Sequence, residues 1–362
     1  MEPMTVKRVL YITNLPAPYK IDFLNELGKY LELTVAFERD SAKDRDPRWK
    51  ASIENSSFKP VWLTGIKIGA ENSLDFSLVL QLGRGKYDLV LINGYSSLTE
   101  MTAIRYMRRK AIPFGLSCDG MFMKSDTALK KRLKESLIDA AAFWLSPGNT
   151  TDEALIYYGA DKNRIYRYPF TSVKECDIAE VPYDRAAYKK KVGCDSKYMI
   201  LYVGQMIHRK GIDVLLEAVK GIGPDCKTYL VGGKLEEPLQ NEQVVNIGFL
   251  GKTELADYYK AADVFVLPSR EDIWGLVVNE AMACGTPVIS TDKCGAALEM
   301  IDEAYNGARV PSDNVAALKD KISEMLAQGK TREYMAHAVE TAEKYTIEAM
   351  ANCTLQAIRQ YW

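Results

Sequence analysis

The stretch DVFVLPSREDIWGLVVNEAMACGTPVI, residues 263–289, decides the fold. Residues 263–267 form a short apolar run bounded by Pro268 and Ser269, the pattern of a buried strand. A loop follows. From Leu276 to Cys284 apolar residues recur with helical spacing until Gly285 and Pro287 stop them. Glu271 and Asp272 therefore stand at a helix entrance, with Gly275 just before the first turn. Unpaired N–H groups and the helix dipole favour an anion there, and Gly275, lacking a side chain, admits a phosphate or diphosphate to the backbone of Leu276 and Val277. Glu280, a little over one turn into the helix, is able to accept hydrogen bonds from vicinal sugar hydroxyls. The same carboxylates also suit the positive end of the dipole with no ligand at all.

Outward from this stretch, the chain alternates strand and helix patterns. Apolar runs at 7–13, 33–37, 61–63, 89–93, 113–117 and 143–146 are expected as strands, interleaved with helical periodicity at 19–31, 98–110, 128–142 and 152–158. A polar, irregular segment at 171–188 precedes a second series. Its strands are expected at 198–203, 228–231, 244–247 and 288–291 besides 263–267, and its helices at 212–219, 253–262, 314–328 and 332–345. The expected class is α/β, two doubly wound Rossmann-like domains facing across a cleft, residues 1–178 and 179–345, with a terminal helix at 346–362.

Composition narrows the function classes. The 362 residues are 47% hydrophobic and 26% charged, which suffices for two cores. A net charge of −1 argues against nucleic acid as a partner. Seven scattered cysteines without a CxxC spacing suit reduced thiols in a cytoplasmic setting. His208 and His337 are the only histidines, too few for a His-based metal site or a catalytic triad to be expected. The start MEPMTVKRVLYIT lacks a signal-peptide layout, and no apolar run approaches the roughly twenty residues that span a bilayer. The expected location is the cytoplasm, with the inner face of the membrane as a peripheral site.

The run Ser269 to Val288 resembles the nucleotide-sugar motif of GT-B glycosyltransferases of family 4 (glycosyl transferase group 1), a large retaining family. That resemblance implies transfer of a sugar from a nucleotide-diphosphate sugar, most of all a UDP-sugar, to a hydroxyl of a glycan or lipid-linked glycan, with no metal or other cofactor. The family has two glutamates separated by seven residues. Glu280 matches the second; Asp272 stands where the first is expected, with Glu271 beside it, and which of the two serves stays open. The loop from Gly204 to Gly211 resembles the family's diphosphate loop, in which Lys210 matches the lysine, Gln205 replaces the usual arginine and Arg209 is the nearest guanidinium. The segment from Asn246 through Phe249 to Gly251 resembles the loop whose backbone contacts the base, and equally reads as a turn. In the first domain, Asn14, Pro18, Tyr19 and Lys20 resemble a P-x-P-Y-(R/K) variant on the acceptor side, although Pro18 also suits a plain helix start. Asp119, within Ser117-Cys-Asp-Gly120, stands where many relatives have a histidine near the reacting sugar; an Asp-Gly turn explains it as well.

Residues 105–134 carry nine basic side chains against Asp119 and Asp126, flanking an apolar stripe of Leu129, Leu133 and Leu137. They read either as a solvated helix face or as a face for an anionic membrane. Asp44-Arg-Asp46 has the D-x-D spacing of metal-dependent glycosyltransferases of another fold, but it falls in a charged loop and is expected to be solvent-exposed. Two other functions fit parts of the pattern: a nucleotide-sugar epimerase, and a silent nucleotide-sugar-binding subunit, the latter favoured by Asp272 and Gln205.

Overall fold

The computed structural model describes residues 8–40, 53–68, 72–83, 87–233, 242–303, 305–328 and 331–361. Asp44-Arg-Asp46 lies outside them. The chain forms two compact units, residues 1–170 with 347–362, and residues 171–346.

The first unit contains β1 (Arg8–Thr13), α1 (Pro18–Gly28), β2 (Glu32–Phe37), β3 (Lys59–Trp62), a hairpin of β4 (Ile66–Ile68) and β5 (Asn72–Leu74), and α2 (Ser77–Gly83). It continues through β6 (Leu89–Asn93), α3 (Leu98–Arg109), β7 (Phe114–Ser117), α4 (Ala128–Ile138), β8 (Phe143–Ser146), α5 (Asn149–Tyr157) and β9 (Ile165–Arg167). Seven strands pair in parallel in the order β3-β2-β1-β6-β7-β8-β9. Their near-continuous apolar runs follow from helices covering both faces; all of β7 and β8 is buried. Chain order reverses between β1 and β6. Such a reversal leaves the loops at the carboxyl ends of the two strands diverging, the usual place for a ligand in an open parallel sheet.

The second unit contains α6 (Arg185–Lys191), β10 (Tyr198–Val203), α7 (Ile212–Val219), β11 (Cys226–Val231), β12 (Val244–Gly248), α8 (Lys252–Ala261), β13 (Val264–Leu267) and α9 (Leu276–Ala283). It ends with β14 (Val288–Thr291), α10 (Gly295–Met300), β15 (Gly307–Val310), α11 (Val315–Ala327) and α12 (Thr331–Ala342). The sheet order is β12-β11-β10-β13-β14-β15, so the reversal falls between β10 and β13, the strand that feeds the 268–275 loop. The last helix, α13 (Ile347–Tyr361), belongs to the first unit, where it packs on α1 and sets Tyr361 against Phe143 with ring centroids 4.9 Å apart.

Several boundaries differ from the sequence reading. The division falls at 170/171 rather than 178/179, because residues 171–178 are fastened to the second unit: the Ser172 hydroxyl donates to Glu280 at 2.7 Å. The segment expected to be irregular through 188 already carries the start of α6, whose Asp184 cap accepts from the Ala186 N–H. Helix α5 begins at Asn149, three residues before the expected 152. The short β9, β15, α2 and α10 were not anticipated, since elements of three to seven residues show too little periodicity.

Candidate functional site

At the carboxyl end of β10 the chain makes a glycine-bounded loop and a turn of 3-10 helix over His208–Lys210. Gly211 closes it in the left-handed conformation, φ 68°, and a Cβ there would lie 2.0 Å from the Pro268 carbonyl oxygen. Only glycine lets the loop press this close to the end of β13. The two loops are then stitched together. The Arg209 carbonyl accepts from the N–H groups of Arg270 at 2.9 Å and Glu271 at 3.4 Å, and the Arg209 guanidinium returns a bond to the Glu271 carbonyl at 2.8 Å.

The ammonium of Lys210 pairs with the carboxylate of Asp272. Both side chains are nearly enclosed, 14% and 11% exposed, so each charge depends on the other. Asp272 is fixed further along its backbone, its N–H donating to the Lys293 carbonyl and its carbonyl accepting from Gly295. Of the two candidate acids, Asp272 thus joins the lysine, while Glu271 meets Arg209 through its carbonyl. Gly275 caps α9 with φ 98°, and the N–H groups of Leu276 and Val277 open the helix without an intrahelical acceptor in reach. Cation, acid and helix N-terminus therefore meet where the sheet order reverses. Gln205 is held by its carbonyl, which accepts from Tyr202 at 2.8 Å, and Gly204 by its N–H on Val231.

Glu280 lies on α9, half-buried. One oxygen accepts from Ser172 at 2.7 Å and the other from the Tyr259 hydroxyl at 3.1 Å. Burial raises Glu280 above the ordinary carboxylate range, and the two hydroxyls oppose that rise. Burial also pushes the Tyr259 phenol well up, so it remains a donor. Ser172 and Tyr259 were missed in the sequence, being 108 and 21 residues from the acid they serve.

Gly251 has both backbone groups engaged, as the turn alternative has it. Its N–H goes to the Glu254 carboxylate at 3.2 Å and its carbonyl accepts from Leu255, because the residue caps α8. Phe249 is half-buried on the loop after the edge strand β12.

In the first unit Tyr19, Lys20 and Asp119 come together. One Asp119 oxygen accepts from the Tyr19 hydroxyl at 3.1 Å and from Lys20 at 2.8 Å; the other accepts from the Asn93 amide at 2.8 Å. Lys20 is only 4% exposed and also donates to Asn93, so it is an internal clamp rather than an exposed contact on the acceptor side. Pro18 opens α1 at its first position, which is the helix-start role. Asn14 accepts through its carbonyl from the Arg39 N–H. Asn93, at the end of β6, was not singled out in the sequence. Asp119 keeps about a third of its side chain exposed, so the clamp orients a carboxylate that a ligand hydroxyl is able to reach.

Beside this cluster two further carboxyls are buried, Glu38 and Glu100, each 3% exposed. Ser97 donates to Glu38 at 2.8 Å, and the Ser96 and Ser97 N–H groups donate to Glu100 in the box that caps α3. Burial, reinforced by the neighbouring Glu38, pushes Glu100 up to about 8. The native protein then holds a proton that the unfolded chain releases near the ordinary glutamate value, so stability present below that value is lost as pH rises towards 8. The unfolding free energy of the wild type, from urea titrations, should fall over this window by at most about 1.4 kcal/mol per pH unit more than that of Glu100→Gln. Parallel pH slopes for the two proteins would contradict the buried proton.

The basic segment 105–134 is less one-sided than its composition. Asp126 takes both Lys134, at 2.6 Å, and Lys130, at 3.4 Å, and Lys131 pairs with Glu135. Leu129, of the apolar stripe, stands 81% exposed. Among the described residues no three His, Cys, Asp or Glu side chains are placed to hold a metal ion, and no helix is long and apolar enough to cross a membrane.

Residues 184–342 match the family described as glycosyl transferases group 1. A D-inositol 3-phosphate glycosyltransferase of Xylanimonas cellulosilytica is 28% identical over 58% of this chain and 55% of its own. An N,N'-diacetylbacillosaminyl-diphospho-undecaprenol alpha-1,3-N-acetylgalactosaminyltransferase of Campylobacter jejuni is 30% identical over 43% of each. The chain thus spans about half the length of the curated relatives it matches. Over whole chains the fold is that of Anabaena HepE in complex with UDP, with a TM-score of 0.79 at 14% identity, covering 98% of this chain and 100% of that one. Sucrose-phosphate synthase of Thermosynechococcus elongatus has a TM-score of 0.77 at 20% identity, covering 98% of each. These likenesses establish the two-Rossmann-domain architecture of GT-B glycosyltransferases.

Proposed function

We propose, from the match of residues 184–342 to the glycosyl transferases group 1, that this protein is a retaining glycosyltransferase moving a sugar from a UDP-sugar to a hydroxyl of a glycan or lipid-linked glycan. The observation that carries the reading is the convergence of Lys210, Asp272 and the first turn of α9 at the reversal of the sheet order. UDP is preferred because HepE, of the same fold, is found with it.

In this reading the diphosphate takes the place beside Lys210 that Asp272 occupies without donor, and Arg209 and the N–H groups after Gly275 share its charge. Asp272, released from the lysine, accepts hydrogen bonds from the donor sugar. The bond from the sugar's anomeric carbon to the phosphate oxygen breaks as the acceptor oxygen bonds to that carbon from the same face. The acceptor proton passes to the departing phosphate, so no strong protein base is required. The cationic loop and helix terminus supply the stabilisation that a metal ion gives elsewhere.

Glu280 holds the ribose diol, its carboxylate oriented by Ser172 and Tyr259. Glu280→Gln should weaken UDP binding by about 1–3 kcal/mol in calorimetric titration; an unchanged affinity would remove Glu280 from the ribose. The function itself is tested by following UDP release from a panel of UDP-hexoses with glycan acceptors, with the anomeric configuration of the product read by NMR. UDP release with retention is expected. Tight UDP-sugar binding with neither transfer nor hydrolysis would instead mark a silent binding subunit.

A further inference from the structure

Arg270 follows Ser269 at the carboxyl end of β13, and its guanidinium, 17% exposed, gathers three separate pieces of chain. One terminal nitrogen donates to the His208 carbonyl at 2.6 Å and to Asp213 at 2.7 Å; the other donates to the second Asp213 oxygen at 2.6 Å. The remaining nitrogen donates to Asp313 at 2.5 Å. His208 begins the turn that carries Arg209 and Lys210, Asp213 lies in the first turn of α7, and Asp313 sits in the loop after β15 with φ 59°. The Arg270 N–H adds a fourth tie, to the Arg209 carbonyl. Four of the five N–H donors of the fork are engaged, in directions that a lysine's single ammonium cannot reproduce.

We propose that Arg270 is a positioning residue for the donor loop: it touches no donor atom, but sets the height of the His208–Lys210 turn and neutralises the two carboxylates behind it. The inference rests on the reading of that turn as the diphosphate loop. With Arg270 gone, Asp213 and Asp313 would face an incoming dianion with no cation between them, and the turn would lose the bond that orders its first carbonyl. A bidentate pair fixes geometry as well as charge, which is why a cation of another shape does not replace it.

The test uses Arg270→Lys and Asp213→Asn in the full chain. Amide hydrogen exchange is measured over 205–211 with β10 and β11 as internal reference, and UDP affinity and turnover of UDP-sugar are measured on the same preparations. Arg270→Lys should speed exchange of the loop at least tenfold with the reference strands unchanged. It should also raise the UDP dissociation constant and the donor KM at least tenfold, with kcat at saturation within threefold of wild type. Asp213→Asn should move all of these in the same direction by less, and it carries the test if Arg270→Lys fails to fold. Loop exchange within twofold of wild type in the folded variants overturns the proposal, as does a lowered melting temperature with KM unchanged. A wild type that binds no UDP refutes the functional reading instead, and the exchange arm then decides the role of Arg270 alone.

Discussion

Replacing Lys210 by Met should lower UDP-sugar turnover by at least a hundredfold and, separately, destabilise the protein. The first loss follows from removing a cation beside the departing diphosphate; single donors to a developing anion are worth about 2.7–4 kcal/mol. The second follows from the ion pair. Asp272 and Lys210 are both nearly enclosed, and removing one partner of such a pair strands the other charge at a cost of about 3–5 kcal/mol. The two effects separate in the double variant Lys210→Met/Asp272→Asn. A neutral amide needs no counter-charge, so calorimetric stability should return most of the way while turnover stays at the level of the single variant. Recovered turnover in the double variant would mean that Lys210 serves only to neutralise Asp272.

Gly275→Ala should have the next largest effect. The residue holds φ 98°, where an L side chain is strained by about 1–3 kcal/mol. The new methyl would also lie 2.7 Å from the Cys294 sulfur and 3.3 Å from Leu267, and relieving such an overlap in a packed interior costs about as much again. Because Gly275 sets the direction of the first N–H groups of α9, UDP affinity should fall with stability. Cys294→Ala removes the atom in the way but not the backbone strain. Measured against Cys294→Ala alone, Gly275→Ala should therefore cost about half of what it costs in the wild type. An undiminished cost would assign the whole effect to the backbone, and no cost in either background would remove the argument from conformation.

Where the chemistry is local in sequence, it was legible. The strand, loop and helix of 263–289 carry their own boundaries in Pro268, Gly275 and Gly285, and they appear as β13 and α9 with an offset of at most one residue. The alternation of strands and helices likewise announced two parallel sheets. What the sequence does not carry is strand order, which is why the reversal points between β1 and β6 and between β10 and β13 emerge only in three dimensions. The same limit hid Asn93, Ser172, Tyr259 and the reach of Arg270, each of which meets its partner across many residues. Lys20 shows the converse. Beside Tyr19 at a helix start it resembles an acceptor-side residue, but it is buried through partners, Asn93 and Asp119, that lie 73 and 99 residues away. A count of basic residues over 105–134 likewise does not carry their pairing, in which one acid, Asp126, takes two lysines.

A second unit that binds a nucleotide-diphosphate sugar on its cationic loop without a metal ion should be stabilised by that ligand alone. The most direct measurement is a thermal-shift panel of UDP-, GDP-, dTDP- and ADP-sugars in the presence of chelator, with Lys210→Met/Asp272→Asn as the control. A ligand at a hundred times its dissociation constant stabilises by about 2.7 kcal/mol, a rise of about 5–10 °C for a domain of this size. That rise is expected for UDP-sugars alone, unchanged by chelator and lost in the control. No shift with any of the four, or an equal shift in the control, would contradict it.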